Sequence, residues 1–207
     1  LGGLKSKKKK ENYGDNQIRK PQGMVNNHFA RSMEINKASN FIVYSGAMPF
    51  NMQNSVTMTA IGSILNIRYL ESIREKEGGS YGVGVRGSLG NIPVEEAVLM
   101  MQFDTDPEKQ AHLMSIIHKE VEEIVANGPR TDDLQKVKEN MLKKHKEDIR
   151  ENNWWSSAIA RYYQDNLNYI IDYTDAVNNL TAADIQTMLK ALVEQGNVLE
   201  VVMMPAE

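Results

Sequence analysis

A long predicted helix gives way to a predicted strand within Leu70-Glu-Ser-Ile-Arg-Glu-Lys-Glu-Gly-Gly-Ser-Tyr-Gly-Val-Gly-Val85. Apolar residues at helical spacing begin near Asn51, and the two adjacent glycines are a strong signal for the end of the helix. The strand that follows alternates valines with glycines. Glycines on one strand face often mark a close approach by another backbone, so we expect a helix or a peptide to pack against Gly82 and Gly84.

Short strands and long helices continue on both sides of this segment, from about residue 27 to the end. Further strands are predicted at His28–Ile35, Phe41–Ala47, Val98–Phe103 and Asn197–Met204, with a turn at Ser88–Pro93. Further helices are predicted at Leu113–Ile124, from Thr131 as N-cap to Ile149, at Trp154–Tyr163 and Tyr169–Val177, and after Thr181. This pattern predicts an α+β fold of two layers, a largely antiparallel sheet with helices packed on it.

Composition narrows the functional classes. The 207 residues are 41% hydrophobic and 25% charged, with no cysteine and a net charge of -3. A chain without cysteine has no disulfide, no thiolate metal ligand and no cysteine nucleophile. A dedicated nucleic-acid-binding protein usually carries a strong basic excess, so we expect no nucleic-acid partner.

The start of the chain differs from the rest. Residues 1–20 hold seven lysines and arginines against two acidic residues, and have few apolar side chains. We interpret residues 1–23 as a basic linker or strap and residues 24–207 as the folded domain. The chain begins with Leu1 rather than Met and has neither a signal-peptide core nor a run of about 20 apolar residues, so we expect a piece of a longer protein with no membrane span.

No familiar catalytic or phosphate-binding motif occurs in the structural context that its chemistry requires. The four histidines lie at positions 28, 112, 118 and 145, outside any His-Glu-x-x-His or His-x-x-Glu-His arrangement. His118 and Glu122 share a helix face, which we interpret as a surface pair. The stretch Gly78-Gly79-Ser80-Tyr81-Gly82 has the Gly-x-Ser-x-Gly spacing, but it lies between a predicted helix and a predicted strand, whereas a nucleophile elbow requires a turn from a strand into a helix. The glycines at 82, 84 and 87 fit a phosphate-loop spacing, but a turn follows them where a helix is required.

The segment Leu70–Val85 resembles the C-terminal half of the pitrilysin (insulinase-like) zinc metallopeptidases. Further matches follow in order at Phe41–Pro49, Phe103–Pro107, Asn127–Thr131, Trp154-Trp155 and Val201–Pro205. The resemblance covers the chain from about residue 24 to its end. It identifies the chain as similar to the last domain of an inverzincin-type, bacterial-like peptidase with the mitochondrial-processing-peptidase-like metallohydrolase fold.

The resemblance implies a division of labour between domains. In this family the first domain holds zinc through an inverted His-x-x-Glu-His site, and the last domain supplies an Arg and a Tyr, seven residues apart, to the active site. Arg74 and Tyr81 match that pair, so they are the expected substrate-binding residues, and Tyr81 is expected to assist catalysis. The resemblance implies a peptide substrate, a zinc-bearing domain as partner and no metal in this chain.

A second function stays open. The family also contains subunits that keep the fold without proteolysis, so the chain is alternatively a non-catalytic scaffold half. The presence of both Arg74 and Tyr81 favours the peptidase domain. Trp154 and Trp155 are expected to be core and interface residues.

Overall fold

The computed structural model describes residues 14–75 and 80–206, without the side chains of residues 74, 75, 80 and 81. The described residues form one mixed sheet of five strands in the order β1-β5-β2-β4-β3. The strands are β1 (Met24–Arg31), β2 (Ala38–Ala47), β3 (Ser80–Gly90), β4 (Glu96–Thr105) and β5 (Val198–Pro205). Only β1 and β5 pair in parallel.

Six α-helices complete the described fold. They are α1 (Met52–Tyr69), α2 (Gln110–Asn127), α3 (Thr131–Asp148), α4 (Asn152–Asp165), α5 (Asp172–Asn179) and α6 (Ala182–Val193). A π-helical segment, Leu70–Glu75, continues α1, and a 3-10 turn, Pro107–Lys109, precedes α2. The predicted α+β fold is confirmed, and β2 is a central strand as its apolar sequence indicates.

One face of the sheet forms the core with the helices. Ile42 of β2 lies opposite Met101 of β4, and both side chains are fully buried. They belong to a continuous apolar cluster with residues of α1, α2 and α6, such as Ile61, Ile117 and Leu189. Burial of apolar surface at this layer boundary is the main favourable contribution to folding.

Helix α1 crosses β3 at unusually short range. A Cβ atom on Gly87 would lie 1.9 Å from the carbonyl oxygen of Met58, and one on Gly62 would lie 2.6 Å from the backbone nitrogen of Gly87. Close by, the Asn66 side chain donates to the carbonyl of Val85 (2.9 Å) and accepts from its N–H (3.0 Å). The backbones meet only because glycine occupies both sides of the crossing.

This crossing corrects the predicted role of the strand glycines. Gly82 and Gly84 lie on the exposed face of β3, where Gly84 has only the carbonyl oxygen of Gln102 near its missing Cβ, at 3.9 Å. The close approach falls instead at Gly87, on the face that Val83 and Val85 share. The prediction that a helix packs against Gly82 and Gly84 is therefore wrong, and the alternative that a peptide packs there stays a prediction.

Two strand boundaries also differ from the prediction. The strand predicted at 28–35 is β1, and it spans Met24–Arg31 because its register is set by parallel pairing with β5, from Met24 opposite Val198 to Arg31 opposite Pro205. The turn predicted at 88–93 begins only after Gly90, since Ser88, Leu89 and Gly90 still pair with β4.

The last helix begins after Thr181 as predicted, whereas the predicted N-cap at Thr131 is wrong. Thr181 precedes α6 in a capping box, where its hydroxyl accepts from the Asp184 N–H (3.2 Å) and the Asp184 carboxylate accepts from the Thr181 N–H (2.8 Å). Thr131 is not an N-cap. Arg130 occupies that position without a side-chain capping bond, and Asp132 and Asp133 lie in the first turn as predicted.

Candidate functional site

Arg74 lies in the π-helical segment Leu70–Glu75, which follows α1 directly. Short π-helical stretches within helices are rare, and those that occur are often found at functional sites. The Arg74 side chain lies outside the described residues. What the structure does show is how firmly the neighbouring residues hold this segment.

Three contacts fix the segment. Ile73 is 0% exposed within the core. The Glu71 carboxylate accepts from Arg130 at 2.7 Å, and this hydrogen bond lowers the pKa of Glu71 below its ordinary value. One turn earlier, Arg68 pairs with Glu120 at 2.6 Å. Because these contacts come from the core and from two further elements, the backbone at Arg74 is held from several directions.

Tyr81 is the second residue of β3, the outermost described strand beside β4. Its side chain lies outside the described residues, as do residues 76–79 that join it to the π-helical segment. The register between β3 and β4 shifts between Ser80 and Val83. Gly82 follows Tyr81 with φ +155°, a conformation that residues with a Cβ adopt only under strain. The convergence of Arg74 and Tyr81 stays a prediction.

The histidines do not form a metal site. Among the described residues, no group of three or more His, Cys, Asp or Glu side chains is arranged to hold an ion. The residues present therefore do not fit a zinc ion in this part of the chain. In the same described ranges, no helix is long and apolar enough to cross a membrane.

His118 has partners other than the predicted Glu122. Its Nε2 lies 2.9 Å from Glu200 of β5, and its Nδ1 lies 2.7 Å from the Tyr44 hydroxyl of β2. Burial, with Glu200 and Glu122 nearby, raises the pKa of Tyr44 far above its ordinary value, so the phenol that hydrogen-bonds Nδ1 stays neutral. His118 thus joins α2 to two strands, and within the described residues it forms no ion pair with Glu122.

A cavity lined by aromatic side chains lies away from the Arg74 segment. It encloses about 670 Å³ between α1, α3, α4 and α5. Aromatic rings line it in a connected series: Trp154 contacts His145 (5.3 Å between centroids), His145 contacts Tyr173 (4.7 Å), and Tyr173 stacks on Tyr169 (5.9 Å). Trp154, predicted with Trp155 to be a core and interface residue, is half-buried in the wall of this cavity, which no sequence motif indicated.

Known proteins match the chain in sequence and in fold. The family described as the peptidase M16 inactive domain matches residues 1–141. A zinc protease PQQL-like protein of Arabidopsis thaliana is 28% identical over 109 residues, which is 50% of this chain and 11% of that protein. The chain therefore spans a small part of this curated relative.

Two solved structures show the same fold at low sequence identity. The peptidase M16 inactive domain from Pseudomonas fluorescens aligns with a TM-score of 0.77 and 16% identity, covering 94% of this chain and 46% of that one. The periplasmic protease PqqL from Escherichia coli aligns with a TM-score of 0.75 and 16% identity, covering 88% of this chain and 21% of that one.

Proposed function

The chain belongs to the family of the peptidase M16 inactive domain, and on that premise we propose that it is the substrate-binding, chamber-closing C-terminal domain of a zinc metalloendopeptidase. Its partner is the zinc-bearing peptidase domain, on the same polypeptide or on a partner subunit. Its substrate is a peptide. The basic residues 1–23 serve as the strap from the preceding domain, consistent with the bond from the Gly23 N–H to Asn197 and the Lys20–Glu96 ion pair.

The observation that supports the proposal is the position of Arg74 in the π-helical segment and of Tyr81 in β3, the edge strand that follows it along the chain. Arg74 is in a helix end anchored by Ile73 and by the Glu71–Arg130 pair. Tyr81 begins β3, where the exposed glycines 82 and 84 leave the strand face bare of side chains. A peptide backbone can approach such a face more closely than one covered by larger residues.

Each side chain has a chemical role in this proposal. The Tyr81 hydroxyl donates to a peptide carbonyl as negative charge develops on its oxygen in the tetrahedral state. The Arg74 guanidinium offers a planar fork of donors to peptide carbonyls or to a carboxylate, which an ammonium group does not reproduce. Zinc, held by the partner domain, supplies the Lewis acid in the complete enzyme.

Replacing Arg74 in the complete enzyme tests this assignment. Arg74→Lys should lower kcat/KM by about tenfold or more, because it keeps the charge and loses the fork. Arg150→Lys, the same change at an exposed position after α3, is the control and should leave kcat/KM unaltered. Equal activity of both variants and the unmodified enzyme would favour the scaffold alternative.

A further inference from the structure

Two neighbouring cavities meet at Arg161 of α4. The first is the aromatic cavity of about 670 Å³. The second, about 390 Å³, lies between the Arg86–Asn91 part of the β3 hairpin, α1 and the end of α4. Both cavities are lined by Thr59, Arg161 and Tyr169. We treat the two cavities as one groove and call it the α4 groove.

The aromatic cavity of the α4 groove presents the rings and the hydroxyl groups of Tyr169 and Tyr173. Tyr169 and Tyr173 stack on each other, and burial raises the pKa of Tyr173 to about 12, so the Tyr173 hydroxyl is a neutral donor at physiological pH. Within the described residues neither hydroxyl has a hydrogen-bond partner. Most residues that line this cavity are polar or charged, with aromatic rings among them, and its volume is in the range of ligand sites.

Charge is distributed unequally along the α4 groove. The Arg161 guanidinium lies 4.9 Å from the centre of the Tyr169 ring, and in the described ranges no carboxylate pairs with it. Asp165, one turn further along α4, accepts from Asn91 (3.2 Å), and Asp148 pairs with Lys144 (2.9 Å). The remaining acidic residue, Glu151, immediately precedes α4 and lies ten positions before Arg161, about 15 Å away along the helix axis. Arg161, at the junction of the two cavities, therefore forms no ion pair among the described residues.

We propose that the α4 groove binds a peptide segment carrying a carboxylate next to an apolar or aromatic side chain. The carboxylate pairs with Arg161, and the apolar side chain stacks on Tyr169 and Tyr173. This inference rests on the proposed function, since it names the class of peptide that the domain recognises. The groove begins at Thr59, fifteen residues before Arg74, so about 20 Å separates them, the length of about six extended residues. A substrate that contacts both the groove and the Arg74 segment therefore needs about six extended residues between the two contacts.

Peptide binding to the 207-residue chain alone tests the inference without a zinc-bearing partner. Trp154 lines the groove and the only other tryptophan is Trp155, so the Trp155→Phe variant carries a single fluorescent reporter at the site. An N-acetylated tetrapeptide with two phenylalanines and a free C-terminal carboxylate is titrated against it. The amidated form of this peptide and an amidated form with an internal aspartate are titrated in parallel.

We expect saturable binding below about 1 mM for at least one peptide with a carboxylate, and binding at least about tenfold weaker for the amidated peptide that has none. Binding of both carboxylate peptides, or of only one, supports the site and identifies which carboxylate it accepts. Arg161→Gln should weaken binding by about 10- to 100-fold, the range for a hydrogen bond to a charged group.

Arg150→Gln is the matched control, because it removes the same charge from an exposed residue that does not line the groove. Circular dichroism of each variant establishes that the fold is retained. Failure of all three peptides to bind, or equal weakening by Arg161→Gln and Arg150→Gln, would overturn the inference. Because no proteolysis is measured, this failure is distinct from a failure of the Arg74 and Tyr81 assignment.

Discussion

Gly87→Ala should destabilise the domain strongly, because the added methyl group has no space. Its carbon would lie 1.9 Å from the Met58 carbonyl oxygen and 2.9 Å from the Met58 carbonyl carbon, both backbone atoms of α1. To reach an ordinary contact, α1 or β3 must shift by about 1 Å or more, and forced overpacking of this kind costs about 1–3 kcal/mol or more. We expect a cost near the top of that range, about 3 kcal/mol, since no side-chain rotation relieves the clash.

Gly84→Ala in the same strand is the matched control. Its methyl group would meet only the Gln102 carbonyl oxygen, at 3.9 Å, so we expect a change within about 0.5 kcal/mol. For a domain of this size a loss of about 3 kcal/mol lowers Tm by roughly 6–12 °C. Thermal unfolding followed by circular dichroism, with urea unfolding as a second measure, gives both values. The account of the α1–β3 crossing is refuted if the two variants unfold at the same temperature.

Two further predictions concern pH and metal. Burial lowers the pKa of His145, so as pH falls the unfolded state takes up a proton before the folded state does. Tm should therefore fall between about pH 7.5 and pH 5.5. The His145→Gln variant should show a smaller fall in Tm over the same range. The lowered pKa of Glu71 acts in a separate window, with stability lost only as pH falls below the ordinary glutamate value of 4.5. The isolated chain should bind no stoichiometric zinc after chelator treatment and cleave no peptide, as elemental analysis and a fluorogenic peptide assay will establish; zinc retention with chelator-sensitive cleavage would contradict this.

Local sequence patterns were sufficient to predict most of the helices and strands. The apolar spacing of α1 and the start of the last helix after Thr181 depend on a few neighbouring residues, and both are present as predicted. The same holds for β2, whose continuous apolar run predicts a strand in the middle of the sheet. Such signals depend on backbone geometry and on near neighbours, which the sequence displays directly.

Contacts between distant segments were not predictable in this way. His118 pairs with Glu200, 82 positions away, in preference to Glu122 one turn along its own helix. Gly82, Gly84 and Gly87 look alike in the sequence, and only the path of α1 determines which one is enclosed. The α4 groove depends on how α3, α4 and α5 enclose Trp154 and Tyr173, so no single segment indicates it.

The most direct test of the central claim is the turnover of the complete enzyme carrying Tyr81→Phe. We predict that kcat/KM falls by about 10²–10³, the usual loss for one donor to a developing oxyanion, with normal zinc content and an unchanged fold. Tyr163→Phe, which removes a hydroxyl from a side chain that is 81% exposed, should have no effect. Wild-type turnover of Tyr81→Phe, or a loss that follows loss of zinc or of folded protein, would contradict the account.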